Sequence, residues 1–522
     1  MRAFGAALST VALLAGCGGE DVKNCGELRR SAAERALEHC NRALDNRLVF
    51  GERRALALID RSAIHADRKA WDRAITDLDE SIASLKLAGK KLAVAYYDRG
   101  TARLQKREFD AALVDLDEAI RLDAGLVLAY VNRALARRAK GDLKGSLADA
   151  GAALKLDPRE AKALVQRAVT HYEMKARDQA LADLDAAVKL APQMAAARHL
   201  RGMLLLEKGD ADAALPDLDE AIRLEPGNAD ALQRRAGLYE RKQDFARAIA
   251  DYDALDRLAP NNAAVLYGRS VVLARNGDLE RAFADVERAI ALNPKFADGY
   301  NTRGWLRLQR KELDAAIADF DQALALNPQQ LLALGNRAGA YAARNDYGRS
   351  VADLEAIAAL APQNANHRSI GLFRFYLGQY TESAAALARA LHAQPGDHYA
   401  ALWRLLAQSR AGQAREARAE FAAAAQRLPA GKWPAAVVDH YLGKAGEPAM
   451  FAAANDPDPK RRAEQLCEAN YYAAAAKLLR NRVAQALPQL RAAEQDCPRD
   501  FVEYGAAVVE LKRIGSPDKS VR

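Results

Sequence analysis

The sequence lacks the short motifs that mark the common enzyme classes. It has no Walker loop, no Gly-x-Ser-x-Gly, no His-Glu-x-x-His and no Gly-x-Gly-x-x-Gly at the start of a predicted helix. The eight histidines are scattered, and His39, beside Cys40, is predicted to be a surface residue. Carboxylate pairs are common, but they recur along the chain, whereas a catalytic pair would occur once. We therefore expect a protein with no catalytic residues, no metal and no cofactor.

Aromatic residues are few, at 6% of 522 residues, whereas half of the chain is apolar. This composition suits helical hairpins that are rich in alanine and leucine. The net charge of +8 is modest for this length and is spread over alternating acidic and basic helical faces. Such a charge indicates either an affinity for anionic partners or simply a solvated exterior, and we favour the second. We expect neither a nucleic acid nor a small molecule as a partner.

An apolar run near the start of the chain is too short to cross a bilayer. It covers residues 3–16 and leads into the sequence Leu-Ala-Gly-Cys at residues 14–17. This ending resembles the lipobox of bacterial lipoprotein signals, which implies cleavage before Cys17 and acylation of that cysteine. Gly18 follows, where an aspartate would favour the inner membrane in some bacteria, so we expect a periplasm-facing anchor in the outer membrane. The alternative is an ordinary signal peptide that happens to contain a cysteine.

Cysteine is scarce, with five residues, and four of them form two local pairs once Cys17 is set aside. We predict disulfides that join Cys25 to Cys40 and Cys467 to Cys497. Cys467 is expected to open the first helix of a hairpin whose second helix ends at Cys497, so antiparallel packing would bring the two together. Such a bridge stabilises a fold by about 3 kcal/mol and persists in an oxidising compartment such as the periplasm. The alternative, a metal site, lacks any Cys-x-x-Cys or paired-histidine spacing.

Proline is uncommon but follows a strict period of 34 residues. The periodic prolines are Pro158, Pro192, Pro226, Pro260, Pro294, Pro328 and Pro362. Ten residues after each proline stand Ala168, Gly202, Ala236, Ser270, Gly304, Ala338 and Leu372, all small except the last. Twenty-two residues after each proline stand Ala180, Ala214, Ala248, Ala282, Ala316, Ser350 and Ala384. Because two helices pack closely only where facing side chains are small, two small sites per period predict a helix-turn-helix unit.

The period, the closing proline and the two small sites resemble the tetratricopeptide repeat. The resemblance covers most of the chain and implies an all-α fold, a right-handed α-solenoid of helical hairpins. We predict a lipoprotein signal peptide at 1–16, a lipidated tether and N-terminal capping helix at 17–54, a regular superhelix at 55–364, divergent repeats at 365–430, an irregular insert at 431–466, and a disulfide-clipped terminal repeat with a capping helix at 467–515. The N-terminal capping helix itself is predicted over 25–46.

Charged residues stand at fixed offsets from the small sites. One residue before the small site of the first helix stand Arg61, Arg99, Arg133, Arg167, Arg201, Arg235, Arg269, Arg303 and Arg337. Three residues after the small site of the second helix stand Asp77, Asp115, Asp149, Asp183, Asp217, Asp251, Asp285, Asp319 and Asp353. We predict that they form a ladder of arginine–carboxylate pairs, since guanidinium binds a carboxylate through two bonds. The ladder either fixes the register of the repeats, which we favour because matched charges cancel, or provides a track for a ligand.

The first helices line the concave side of the fold that the resemblance implies. The groove-facing candidates are then Tyr97, Asn132, Gln166, Tyr172, Met203, Gln233, Tyr267, Asn301, Trp305 and Asn336. Amide side chains can satisfy an extended peptide backbone, and aromatic ones provide contact area. The alternative is that about half of these side chains fill the packing between repeats. The lysines and asparagines of the family's carboxylate clamp are absent.

Two functions remain open. A lipobox followed by tetratricopeptide repeats is similar to the new-lipoprotein-I family of adaptors, which implies a lipid-anchored periplasmic scaffold that binds envelope proteins or peptides through its groove. The alternative is an accessory factor for the synthesis or export of envelope polysaccharide. Such factors usually carry a membrane-spanning helix or act with a partner barrel, and the sequence shows neither. We therefore favour the scaffold.

Overall fold

The computed structural model describes residues 19–27, 33–499 and 501–515. The chain divides into two compact units, which meet in sequence between Leu258 and Ala259, and each is described by itself. The predicted signal peptide and the acylation site at Cys17 lie outside the described residues. Within the described ranges there is no strand, and no helix is long and apolar enough to cross a bilayer.

Unit 1 is, in its described part, a series of antiparallel helical hairpins. Its helices are α1 (Gly19–Glu27), α2 (Ala33–Asp45), α3 (Glu52–Asp67), α4 (Trp71–Ala83), α5 (Gly89–Gln105), α6 (Phe109–Leu122), α7 (Val127–Ala139), α8 (Leu143–Leu156), α9 (Ala161–Glu173), α10 (Arg177–Leu190), α11 (Ala195–Lys208), α12 (Ala211–Leu224), α13 (Ala229–Arg241) and α14 (Phe245–Leu258). From α3 onward, each odd-numbered helix is the first of a hairpin. The helix-turn-helix units predicted from the period are confirmed.

The turn inside each hairpin uses one recurring backbone arrangement. At Gly141 the backbone is left-handed, with φ of 84°, and the N–H of Asp142 donates to the carbonyl of Arg137 over 2.9 Å. This bond closes α7, and the Asp142 side chain then accepts from the N–H of Gly145 to start α8. Other hairpins of unit 1 have a positive φ at the equivalent residue without glycine, at Arg107, Lys175 and Gln243. The turn therefore does not depend on the glycine–aspartate pair that marks it in the sequence.

The N-terminal cap differs from the single helix that the sequence predicts over 25–46. The structure has two helices there, α1 and α2, and a disulfide joins Cys25 to Cys40 with a Cα–Cα distance of 4.8 Å. Two residues 15 apart in one helix are separated by about 22 Å along its axis. The disulfide therefore requires a helical hairpin, and the single-helix prediction was wrong because it was incompatible with the predicted bond.

Small residues allow the two helices of a hairpin to approach closely. A Cβ atom on Gly100 would lie 3.0 Å from Leu116 Cγ, and one on Gly202 would lie 3.1 Å from Leu218 Cγ. Since real Cβ atoms rarely come so close, a larger side chain at either site would force the helices apart. The predicted small sites therefore lie at the contact between paired helices.

Unit 2 continues the hairpins and ends in a less regular block. Its described elements are α15 (Ala263–Arg275), α16 (Leu279–Leu292), α17 (Ala297–Gln309), α18 (Leu313–Leu326), α19 (Leu331–Ala343), α20 (Tyr347–Leu360), a 3-10 helix (Pro362–Asn364), α21 (His367–Tyr376), α22 (Tyr380–Ala393), α23 (His398–Arg410), α24 (Ala414–Ala425), α25 (Ala435–Tyr441), α26 (Glu447–Ala453), α27 (Pro459–Leu478), α28 (Val483–Asp496) and α29 (Val502–Gly515). The predicted insert at 431–466 contains two short helices and the first part of α27. Helices α27 and α28 form the terminal hairpin, against which α29 packs.

The terminal hairpin begins earlier than predicted. Pro459 occupies the first turn of α27, where its missing N–H leaves no bond unmade, and the Asp458 side chain accepts from the N–H of Arg461. Cys467 therefore lies within α27, and the prediction that it opens this helix was wrong because Pro459 starts the helix eight residues earlier. The disulfide joins Cys467 to Cys497, just after α28, with a Cα–Cα distance of 4.9 Å.

Candidate functional site

Each ladder arginine bonds the ladder aspartate of its own repeat. In unit 1, Arg201 Nε donates to Asp217 Oδ2 over 2.5 Å, and Arg201 Nη2 donates to Asp217 Oδ1 over 2.8 Å. The other pairs with two such bonds are, in unit 1, Arg61–Asp77, Arg99–Asp115, Arg133–Asp149, Arg167–Asp183 and Arg235–Asp251, and in unit 2, Arg269–Asp285, Arg303–Asp319 and Arg337–Asp353. All nine aspartates are buried.

Several ladder arginines also reach the repeat that precedes them. Arg201 Nη1 donates to Asp185 Oδ1 over 2.9 Å, so one guanidinium joins the second helices of two successive repeats. The same contact occurs at Arg99–Asp79, Arg133–Asp117, Arg235–Asp219 and, in unit 2, Arg337–Asp321. This second acceptor stands two residues after a ladder aspartate. This second acceptor was not predicted, although an Asp-x-Asp spacing in the second helices indicates it.

Arg167 is a ladder arginine that lacks the second acceptor, and its side chain is more exposed than those that have one. The position two residues after Asp149 is occupied by Gly151, and Arg167 bonds Asp183 alone among the described residues. The Arg167 side chain is 32% exposed, whereas the arginines that hold two carboxylates are 15% to 21% exposed. The second bond therefore draws the guanidinium into the contact between repeats.

The ladder charges are matched inside the protein. The hydrogen bond to Asp217 is the main reason why the pKa of Arg201 is raised above its ordinary value. His171 lies 3.8 Å from Asp183, but burial lowers its pKa, so it is neutral at pH 7. Buried aspartates that are already bonded to arginine offer little to a ligand, which supports the register interpretation over the ligand track.

The predicted groove residues of unit 1 contribute mostly to packing. Tyr97 and Gln166 are buried, and Met203 packs against the apolar cluster that contains Leu184. Gln233 alone among these four is exposed. Their environment fits the alternative in which such side chains fill the space between repeats.

The two remaining candidates of unit 1 bond to neighbouring repeats. Asn132 Nδ2 donates to Thr101 Oγ1 over 2.8 Å, which joins α7 to α5. Tyr172 donates its hydroxyl hydrogen to Glu207 Oε1 over 2.6 Å, which joins α9 to α11. These polar groups hold successive first helices together and are already engaged.

The first-helix face of unit 2 contains two asparagine side chains that bond each other. Asn336 Nδ2 in α19 donates to Asn301 Oδ1 in α17 over 2.9 Å. This bond uses one N–H and one lone pair, whereas two asparagine side chains carry four N–H bonds and four lone pairs between them. The pair therefore keeps donors and acceptors that an extended peptide backbone could use. Tyr267, the candidate in α15, packs edge-to-face on Phe296, with ring centroids 4.7 Å apart.

An aromatic side chain and a gap lie beside the asparagine pair. Trp305 is half-buried and follows Asn301 by one helical turn, so both lie on one face of α17. On α19, Gly339 follows Asn336 by three residues, and a Cβ atom built there would have no neighbour within 4 Å. We call Asn301, Trp305, Asn336 and Gly339 the inner face of unit 2. It combines amide groups, an aromatic ring and room for a ligand side chain.

A separate cluster of buried acids lies near the end of unit 2. Glu468 accepts from Trp433 Nε1 over 2.9 Å and from the Tyr399 hydroxyl over 3.0 Å. Glu503 accepts from the Tyr472 hydroxyl over 3.2 Å, and burial, followed by the charge of Glu468, raises the pKa of Glu503 to about 8. We call Glu468 and Glu503 the carboxyl pair. Through these bonds Glu468 connects α27 to α23 and to Trp433, and Glu503 connects α29 to α27.

No described residues form a group of three or more histidine, cysteine, aspartate or glutamate side chains that could hold a metal ion. The carboxyl pair has aromatic hydroxyl and indole partners instead. Its contacts are those of a buried structural element.

Comparison with known proteins identifies the repeat. One tetratricopeptide-repeat family model matches residues 165–229, 199–263, 234–297 and 370–432, and a second matches residues 297–330. No curated protein matches the chain.

Three solved structures illustrate the similarity. The structure of MamA is 22% identical, over 31% of this chain and 96% of that one, with a TM-score of 0.30. YrrB, described as a TPR protein with an unusual peptide-binding site, is 20% identical over 38% of this chain and 97% of its own, with a TM-score of 0.32. Pseudomonas aeruginosa pilF is 20% identical over 42% of this chain and 97% of its own, with a TM-score of 0.37.

Proposed function

We propose that this chain, which is built from tetratricopeptide repeats, is a lipid-anchored scaffold of the cell envelope without enzymatic activity. An acyl group on Cys17 holds it on the periplasmic side of a membrane, and the outer membrane is favoured over the inner membrane. The inner face of unit 2 binds an extended segment of another envelope protein.

The observation that carries the binding site is the contact between Asn336 and Asn301. It places two amide groups beside Trp305 and beside the open space at Gly339. Amides can pair with the N–H and carbonyl groups of an extended peptide, and a tryptophan provides a large rigid contact. In unit 1 a residue equivalent to Asn336 is Asn132, which donates to a threonine hydroxyl, Thr101 Oγ1, and not to a second amide.

Support for the compartment comes from the cysteines. Both pairs, Cys25 with Cys40 and Cys467 with Cys497, are joined as disulfides in the structure. Disulfides of this kind persist in oxidising compartments such as the periplasm. The lipobox-like sequence at 14–17 supplies the anchor.

Site-specific photo-cross-linking in cells tests the binding face. A cross-linking amino acid at Gly339 should capture a discrete envelope protein, because its side chain would enter the open space. The matched control is the same amino acid at Val114, which is 67% exposed on a second helix of unit 1. Trp305→Ala should reduce the capture by about tenfold while leaving thermal unfolding almost unchanged. Equal capture at both positions would show that the inner face of unit 2 is not the binding site.

Mass spectrometry of the mature protein tests the anchor. The N-terminal peptide should begin at Cys17 and carry acyl chains, and Cys17→Ser should abolish that modification. A peptide that retains an unmodified Cys17 would show that the anchor is absent, and this result would leave the cross-linking experiment unaffected.

A further inference from the structure

We propose that one edge of unit 1 is a second membrane contact, an apolar and basic surface that lies on an anionic bilayer. The N-terminal edge, as we call it, consists of Leu48, Phe50, Leu85, Arg47, Arg53, Lys86 and Lys90, all exposed. This surface would act together with the acyl anchor. The inference rests on the proposed function in one respect only, which is that an anchor at Cys17 would turn this edge toward the membrane.

These residues belong to two neighbouring connections. Residues 46–51 join α2 to α3, and residues 84–88 join α4 to α5. Arg54, in the first turn of α3, donates to the carbonyl of Leu44 over 2.6 Å and to Glu80 Oε1 over 2.8 Å. One side chain therefore holds the end of α2 and the last turn of α4 together. The two connections consequently lie side by side on the same edge.

The apolar residues of the edge point outward although the connections are well anchored. Val49 and Leu87 are 4% and 6% exposed, whereas Phe50 and Leu85 are 72% and 86% exposed. Each connection thus buries one apolar side chain and presents its neighbours to the solvent. Apolar side chains clustered on a surface mark a contact with a partner or a membrane.

Leu85 is unusual in its backbone as well as in its exposure. Its φ of 51° lies in the left-handed region, which favours glycine or asparagine over a bulky residue. Since its side chain is almost fully exposed, the folded unit gains little packing from a leucine there. A leucine at this position is explained by a contact outside the unit.

The surrounding charge identifies the partner. Residues 46–54 and 84–91 contain six basic residues and one acidic residue, Glu52, and Arg54 also binds Glu80. These charges sum to +4, while the whole chain carries +8. The next connection, at 123–126, contains an aspartate and no basic residue. Basic side chains around exposed leucine and phenylalanine are the composition of surfaces that adsorb to anionic lipid headgroups.

The start of α1 lies near this edge. Asp21 is 3.3 Å from Arg42, and Val22 packs against a cluster that includes Leu44, two residues before the connection at 46–51. The first described helix therefore starts on the side of unit 1 that carries the N-terminal edge.

Vesicle binding by the unacylated chain tests the proposal. The chain from Gly18 onward is exported behind a signal sequence that is cleaved without acylation, then mixed with phosphatidylglycerol–phosphatidylethanolamine vesicles and sedimented. Phe50→Ser combined with Leu85→Asn should weaken binding by about tenfold or more, and asparagine suits the left-handed backbone. Lys86→Glu combined with Lys90→Glu should weaken it by a similar factor. The control is Leu332→Ser, which removes a residue of unit 2 that is 72% exposed.

The outcomes separate the membrane from other partners. Binding to anionic vesicles that both double variants reduce and Leu332→Ser does not would support the proposal. Unchanged binding in the double variants, equal binding to phosphatidylcholine vesicles, or a dimer in sedimentation velocity that Phe50→Ser abolishes would overturn it. Because the probe carries no acyl group, none of these results depends on whether Cys17 is acylated.

Discussion

The ladder hairpins of unit 1 and the C-terminal block of unit 2, from α21 to α29, hold their helices together in different ways. In the ladder hairpins, one arginine per repeat bonds the buried aspartate of its own repeat, and several of them, such as Arg201, also bond a carboxylate of the preceding second helix. In the C-terminal block the ladder positions are occupied by Gly371 and Leu387, and the interior is aromatic. There Trp403 stacks on Tyr471, with ring centroids 5.2 Å apart. Periodic contacts make each repeat replaceable, whereas the aromatic block depends on particular side chains.

Removal of the central aromatic ring should therefore have the largest effect. Trp403→Ala deletes a side chain that is 1% exposed, and we expect it to lower the free energy of unfolding of the C-terminal block by about 4 kcal/mol. Hydrogen exchange of α23 and α27 measures the change. The matched control, Trp305→Ala, removes a tryptophan that is less deeply buried than Trp403 and should cost about 1 kcal/mol. Similar losses in the two variants would show that the block does not depend on its aromatic interior.

The carboxyl pair should make the same block sensitive to pH. Glu503 has a pKa of about 8 in the folded protein against an ordinary value of 4.5, so between these pH values the folded state holds a proton that the unfolded state has released. The contribution of Glu503 to the free energy of unfolding should therefore be highest below pH 4.5. It should fall by about 3 kcal/mol between pH 5 and pH 8. Glu468 raises this pKa and Arg368 lowers it.

Glu503→Gln tests this dependence, because glutamine accepts the Tyr472 hydrogen bond without a titrating proton. In this variant the free energy of unfolding, measured by chemical denaturation with tryptophan fluorescence, should change much less between pH 5 and pH 8 than in the wild type. The control, Glu416→Gln, changes an exposed residue of α24 and should keep the slope of the wild type. If the free energy of unfolding of Glu503→Gln depends on pH as in the wild type, another group causes the pH dependence.

Breaking one rung of the ladder should have a smaller effect, and its size should depend on the second acceptor. Arg201→Ala leaves the buried Asp217 with Arg198, whose Nη1 donates to its Oδ1 over 2.9 Å, and removes the bond to Asp185. We expect a loss of about 2 kcal/mol. Arg167→Ala removes a more exposed arginine with one partner, and about 1 kcal/mol is expected. Thermal unfolding of both variants measures the difference.

The same two variants separate register from ligand binding. If the ladder fixes register, capture of a partner should fall only as far as folding does. Lost capture at an unchanged melting temperature in Arg201→Ala would instead make the ladder a ligand track and contradict our interpretation.

The parts of the fold that repeat were predictable from the sequence, and those that occur once were not. A contact such as that of Arg201 with Asp217 recurs at a constant spacing, so the period reveals it. The positive φ at Lys175 was not predictable from residue type, because tertiary packing imposes on a lysine the turn that glycine adopts at Gly141. Similarly, Pro459 starts a helix in a segment where the other prolines and glycines indicate breaks.

The candidate site was only partly predictable for the same reason. Ten groove residues follow from the position of the first helices, but their availability depends on neighbours that the period does not specify. Gln166 and Asn336 stand at equivalent positions, eight residues after Pro158 and Pro328, yet Gln166 is buried whereas Asn336 is partly exposed beside the space at Gly339. Which face is open depends on individual side chains of the next repeat.

The smallest predicted effect concerns the rung at which the second acceptor is missing. Gly151→Asp would restore the Asp-x-Asp spacing, and nothing lies within 4 Å of a Cβ atom built at this position. The new carboxylate should bond Arg167 as Asp117 bonds Arg133, and add about 0.5 kcal/mol of stability relative to Gly151→Asn. Asparagine is the reference because it has a similar shape and helix propensity but no charge. In an Arg167→Ala background the advantage of aspartate over asparagine should disappear from thermal unfolding. If it persists there, the second acceptor does not act through the ladder arginine.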